Sequence, residues 1–139
     1  MTHPHLISYT DGGSRGNPGP AALGYVLQNV AGETVEAHGE YLGITTNNQA
    51  EYQAVLAAVR RARALGAERL DMRLDSELVV KQLAGEYKVR DSGLAGIYML
   101  IHNELIHLKK VTFTHVRREY NQEADAEVNK ALDRQAARA

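Results

Sequence analysis

The spacing of hydrophobic and polar residues changes several times along this chain, and each change marks an element. Leu6 to Thr10 is a short strand-type run that ends on Asp11. The stretch that follows, Gly12-Gly13-Ser14-Arg15-Gly16-Asn17-Pro18-Gly19-Pro20, has the glycine and proline density of a loop. Residues 22–29 and 34–42 read as two strands joined by the turn Ala31-Gly32-Glu33, so the first three strands are expected to be antiparallel neighbours. From Asn48 the period lengthens: Ala50, Ala54, Ala57, Ala58, Ala62 and Leu65 recur three and four residues apart, and Gly66 closes the helix. Arg69 to Leu74 alternates again and runs into Asp75-Ser76, where Ser76 can cap a second helix that Gly85 stops. A third helix is predicted over Leu94 to Leu108, a strand over Val111 to Val116, and a last helix from about Asn121 onward. The order β-β-β-α-β-α-α-β-α implies an α/β domain whose mixed sheet has five strands. In it, three antiparallel hairpin strands extend a parallel core flanked by helices.

At 139 residues the chain has the size of one domain spanning 1–139. Its 44% apolar and 24% charged shares are those of an ordinary globular protein, and no run approaches the ~20 apolar residues of a membrane helix. Met1-Thr2-His3-Pro4 leads directly into a strand-like run without the basic and apolar segments of a secretory signal, so a cytoplasmic location and no membrane partner are expected. The absence of cysteine removes disulfides, thiolate zinc sites and cysteine nucleophiles; any metal must be held by oxygen or imidazole. A net charge of -1 argues against coating nucleic acid by bulk electrostatics, but it leaves open an enzyme whose centre gathers acids.

The positions of the acids narrow the chemistry further. Asp11 and Asp75 each close a predicted strand, and ligand sites in open α/β sheets lie beyond the carboxyl ends of strands. Glu51 shares a helical stripe with Ala54, Val55, Ala58 and Ala62 and should face the sheet, where a carboxylate is costly without a partner. Asp125 stands three residues before Val128 and seven before Leu132, so it too is expected to lean toward the packed side. Each acid singly has a plainer explanation. Asp11 and Asp75 can start turns or precede helices, Glu51 can complete a capping box with Asn48, and Asp125 can complement a helix dipole. Together, four acids at element ends are what a hard, oxygen-seeking divalent ion requires.

The motifs carrying these acids resemble those of the type 1 ribonuclease H family over nearly the whole chain. Tyr9-Thr10-Asp11-Gly12-Gly13-Ser14-Arg15-Gly16-Asn17-Pro18-Gly19 is similar to the family's first-strand motif, and Thr45-Thr46-Asn47-Asn48-Gln49-Ala50-Glu51 to its T-T-N-N-x-x-E signature. Leu74-Asp75-Ser76 matches the third acid, and Asn121-Gln122-Glu123-Ala124-Asp125 matches the N-x-x-A-D that supplies the fourth. The resemblance implies a ribonuclease H-like fold and an endonuclease that hydrolyses the RNA strand of an RNA/DNA hybrid, leaving 5′-phosphate and 3′-hydroxyl ends. It implies two Mg2+ ions, with Mn2+ a substitute. Asp11 would bridge both, Glu51 and Asp75 would hold the leaving-group side, and Asp125 would hold the ion that activates water. Gly12, Gly13, Ser14, Asn17, Thr46, Asn47, Asn48, Ser76 and Glu77 are the implied nucleic-acid contacts. Double-stranded RNA is a further candidate substrate, and no obligatory protein partner is evident.

Two departures from the family pattern matter. The basic handle that many members insert after the second helix is missing, since Gly85-Glu86-Tyr87-Lys88-Val89-Arg90-Asp91 moves on directly. The loop bearing a proton-transferring histidine is also short, as in the archaeal-type subgroup. His115 falls inside a predicted strand and reads as structural, whereas Arg118 is the residue expected near the departing phosphate. The glycine-rich segment lacks the Gly-Lys-Ser/Thr ending of a nucleotide-binding loop. Arg60, Arg61 and Arg63 read as a solvated helix face rather than a track for DNA phosphates. A hybrid-binding module without catalysis, and a resolvase or exonuclease on the same fold, are the competing classes.

Overall fold

Strand β1, His5–Ser14, lies at the centre of the sheet and sets its plan. The computed structural model describes residues 2–138. After β1 come β2 (Gly19–Gln28), β3 (Thr34–Thr45), α1 (Asn47–Ala64), β4 (Arg69–Leu74), α2 (Glu77–Leu83), α3 (Ser92–Leu105), β5 (Lys110–His115), a 3-10 turn (Arg118–Tyr120) and α4 (Gln122–Arg138). The strand order is β3-β2-β1-β4-β5. β1, β2 and β3 pair antiparallel, while β4 pairs parallel to both β1 and β5. The expected five-stranded mixed sheet is therefore present, in the expected element order.

Alternation along β1 sends Leu6, Ser8, Thr10 and Gly12 to one buried face. On that face α1 presents a stripe of Ala50, Ala54, Val55, Ala58, Val59 and Ala62, and small side chains let it lie close to the strands. Tyr52, Leu70, Met72 and Ile101 complete the core, all without solvent exposure, each apolar side chain contributing roughly 1.5–3 kcal/mol. A smaller cluster of Ala22, Val128, Ala131 and Leu132 seats α4 on the opposite face, over β2 and β3. No helix among the described residues is long and apolar enough to cross a membrane.

The loop expected over Gly12 to Pro20 is mostly strand. β1 and β2 remain paired out to Ser14 and Ala21, leaving only residues 15–18 between them. Gly12 serves close approach rather than a turn: a Cβ there would overlap the backbone of Ala50 and Glu51 in α1. Asp11 consequently lies inside β1, opposite Gly24, and does not end the strand. Helix α1 also starts earlier than expected. Its cap is Thr46, whose hydroxyl accepts from the Gln49 amide at 3.2 Å, so the capping box of Asn48 with Glu51 does not form. The third helix likewise begins at Ser92, where Asp91 caps it by accepting from Gly93 N at 2.7 Å.

Candidate active site

The parallel ladder between β1 and β4 ends at the pair Thr10 and Leu74. The next residues of the two strands are Asp11 and Asp75, so register alone sets their backbones side by side beyond the end of β4. Glu51 reaches the same point from α1, whose backbone rests on Gly12. One carboxylate oxygen from each of Asp11, Glu51 and Asp75 lies within 4.8 Å of the others.

Bringing these acids together at a buried point strains their ionisation. Asp11 is pushed up to about 8, first by burial and then by the charge of Asp75, with Asp125 and Glu51 adding to the effect. Glu51 is raised to about 7, again by burial first and Asp75 second, while Ser76 and the Arg118 guanidinium pull the other way. One oxygen of Glu51, Oε2, is buried with no hydrogen-bond partner at all. A divalent cation taking oxygen ligands matches this donor set: it would satisfy the unpartnered oxygen and neutralise the clustered charge.

Asp125 stands outside the tight group of three, but its charge acts on Asp11 and it lines the same cleft, together with Arg118 and Asn47. It was expected to lean toward the packed side of its helix, yet it is exposed. Packing is carried by Ala124, Val128, Ala131 and Leu132, and the residue after Ala124 is turned roughly 100° away from that stripe. The structure also shows a residue that the sequence reading missed. Asn129 Nδ2 donates to Asp125 Oδ2 at 3.4 Å, and the signal for it was the four-residue spacing on one helix face.

The proposed substrate contacts form two groups. Asn47 Oδ1 accepts from Ser14 N at 2.8 Å and from Ser14 Oγ at 3.1 Å, and Asn47 N donates to Asn17 Oδ1 at 3.1 Å. These bonds tie the β1–β2 connection to the start of α1, where Asn48 is exposed and Thr46 is the cap. Gly12 is buried in the cleft floor and Gly13 lies beside it. Across the cleft, Ser76 caps α2 by accepting from Val79 N at 3.3 Å. The Glu77 carboxylate is held by Lys81 at 2.8 Å, which keeps it below the usual range.

Arg118, in the 3-10 turn, is exposed at the cleft and close enough to Glu51 for its charge to be felt. His115 lies in β5 as expected, at the end of the strand, where it is exposed. Its Nε2 lies 3.2 Å from the backbone oxygen of Asp75. Because β4 and β5 run parallel with Leu74 opposite His115, the residue after Leu74 falls within reach of the ring.

A family model described as reverse transcriptase-like matches residues 9–131. The chain is 44% identical over 126 residues to the ribonuclease HI of Halobacterium salinarum, covering 91% of this chain and 63% of that relative. The solved structure of RNase H1 from the same organism superposes with a TM-score of 0.90 at 43% identity, covering 93% of this chain and 98% of that one. A bifunctional protein of Mycobacterium tuberculosis is 38% identical over 92% of this chain, which spans 35% of its length. The N-terminal RNase H domain of the mycobacterial protein gives a TM-score of 0.92 at 33% identity, covering 96% of this chain and 97% of that one. LC11-RNase H1, solved in complex with an RNA/DNA hybrid, matches with a TM-score of 0.90 at 38% identity over 94% of this chain and 99% of that one.

Proposed function

The chain belongs to the ribonuclease H family, and on that premise we propose that it is an endonuclease hydrolysing the RNA strand of RNA/DNA hybrids with two divalent cations. Products would carry 5′-phosphate and 3′-hydroxyl ends. The observation that carries this reading is the group of Asp11, Glu51 and Asp75 carboxylates within 4.8 Å, one of whose oxygens is buried without a partner. These three acids and Asp125 would hold the ions, Mg2+ with Mn2+ as a substitute. When bound, the ions would supply activation of water and neutralisation of the charge that builds on the phosphoryl oxygens.

The protein's own residues have separate tasks. Asp11, inside a paired strand, and Asp75, fixed by the end of the parallel ladder, form a rigid floor; Glu51 closes it from the helix side. Asp125, exposed on the rim, faces the side open to solvent from which water would enter. Arg118 stands on a short turn between β5 and α4, where a cation can approach the phosphate as negative charge moves to the departing oxygen. Asn17 and Asn47 use their carbonyl ends internally. Their amide N–H groups are left to meet the minor groove, where the 2′-hydroxyl distinguishes RNA from DNA. With Gly13, Ser14, Asn48 and the backbone at Ser76 and Glu77, they would grip the hybrid on both sides of the scissile phosphate.

The short link from α2 to α3, residues 84–91, supports placement in the subgroup that lacks the basic handle. The reading extends to double-stranded RNA as a weaker substrate, to activity without an obligatory protein partner, and to a cytoplasmic location. The deciding experiment offers matched RNA/DNA, RNA/RNA and DNA/DNA duplexes with Mg2+, and the Asp11→Asn variant as a blank. Cleavage of the RNA strand of the hybrid, strongest of the three, is expected. Equal or preferred cleavage of DNA/DNA would point instead to a resolvase or exonuclease, and tight hybrid binding without cleavage to a binding module.

A further inference from the structure

Asn121 is only 1% exposed, and it is not among the residues lining the cleft of carboxylates. Its Nδ2 donates to the backbone carbonyl oxygen of Thr10 at 2.9 Å, while its backbone carbonyl oxygen accepts from the backbone amide of Asp125 at 3.1 Å. Thr10 immediately precedes Asp11 and is the last residue of β1 that pairs with β4. Two hydrogen bonds in series thus run from the backbone beside Asp11 to the backbone of Asp125 itself.

The seat of α4 is built along the same line. Asp11 is opposite Gly24 across β1 and β2, and Gly24 is opposite Gly39 across β2 and β3. Helix α4 lies over this row so closely that a Cβ at Gly24 would stand 2.5 Å from the Ala124 carbonyl oxygen, and one at Gly39 would overlap that of Glu127. The glycine pair sets the height of the helix above the sheet, and Asn121 sets its place along β1. The other end of the Asn121 amide, Oδ1, is buried with no partner. A half-satisfied buried amide is a poor choice for stability alone, because the unpaired end carries its full desolvation penalty.

Resting on the reading of Asp125 as a metal-holding acid, we infer that Asn121 is a positioning residue that fixes the distance of Asp125 from Asp11. It acts through the Thr10 carbonyl, with Gly39 fixing the depth of the helix. Loss of a group that orients a metal ligand commonly weakens metal binding about 10- to 100-fold. That range frames the test.

The experiment is a double-mutant cycle on the full chain with Asn121→Ala and Asp125→Asn, read by Mn2+ titration calorimetry without substrate and by kcat and KM on the hybrid. Asn121→Ala should weaken Mn2+ binding about tenfold and lower kcat, with KM for the hybrid within about twofold of the parent. In the Asp125→Asn background the same substitution should change Mn2+ binding less than about twofold, because the ligand it positions is already gone. An undiminished effect in that background, or unchanged Mn2+ binding in Asn121→Ala alone, overturns the inference. Unchanged Mn2+ binding in Asp125→Asn itself is a separate failure, that of Asp125 as a ligand. If Asn121→Ala does not fold, Asn121→Ser, which keeps a donor on a shorter stem, takes its place in the cycle under the same criteria.

Discussion

The Nε2 of His115 lies 3.2 Å from the backbone oxygen of Asp75, so the end of β5 is tied to the residue that leaves β4 for the active site. The ring touches the peptide of a carboxylate residue rather than a position where a proton would be transferred, and it is exposed. A positioned general acid or base is worth about 100-fold or more. His115→Ala should therefore cost turnover well below that, by slight loosening of Asp75, and should move the melting temperature little. Arg118→Ala should lower kcat several-fold or more with hybrid binding nearly unchanged. Turnover and melting curves for both variants at saturating substrate check this. A loss of 100-fold or more in His115→Ala at unchanged melting temperature would reverse the two roles.

Clustered acids make the metal-free protein sensitive to pH in a defined direction. Asp11 and Glu51 are raised to about 8 and about 7 in the folded state, so the folded protein holds protons that the unfolded chain releases near pH 4. Their contribution to stability is fully present below about pH 4 and is lost as pH rises toward 8. In chelator, melting temperature should fall across that window once other groups are accounted for, and Asp11→Asn should flatten the fall. A steeper fall in Asp11→Asn than in the parent would contradict the assignment of strain to this cluster.

Divalent ions should offset the same strain. At pH 8 Mg2+ or Mn2+ should raise the melting temperature of the parent, since a ligand that binds only the folded state stabilises it by mass action. Asp11→Asn, Glu51→Gln and Asp75→Asn should each lose cleavage while folding normally, and each should show a smaller ion-induced rise. Thermal scans with and without Mg2+, beside an activity assay, measure both. Normal turnover in any of the three variants would defeat the metal-holding role of that residue.

Replacing the amide donor of Asn47 separates reading of RNA from scaffolding. Asn47→Asp keeps an acceptor for Ser14 N and Oγ but removes the N–H2 group that would meet the 2′-hydroxyl. KM for the hybrid should rise more than kcat falls, because the contact is formed in the ground state. The melting temperature should stay near that of the parent. A fall in kcat alone would place Asn47 at the reacting phosphate instead.

Local periodicity determined most of the element order. The alternation over residues 69–74, the alanine stripe of α1 and the caps at Ser76 and near Gly66 are consequences of side chains within a few residues of one another, so they were legible without coordinates. Positions at element ends, together with motifs that resemble those of the ribonuclease H family, joined Asp11, Glu51, Asp75 and Asp125 as one set. Tertiary structure decided which of them meet. The parallel register of β1 with β4 places Asp11 beside Asp75, and the bare backbone of Gly12 lets α1 bring Glu51 to the same point. Gly12, which the sequence placed in a loop, is strand because the α1 backbone needs the space of its missing side chain, and Gly39, in an expected strand, gives α4 the same close approach. The exposure of Asp125, the reach of His115 to Asp75 and the tether from Asn121 to Thr10 likewise depend on contacts between residues up to 111 positions apart. Local pattern carries no record of such distances, since a strand's period fixes which way a side chain points and only pairing fixes what it meets.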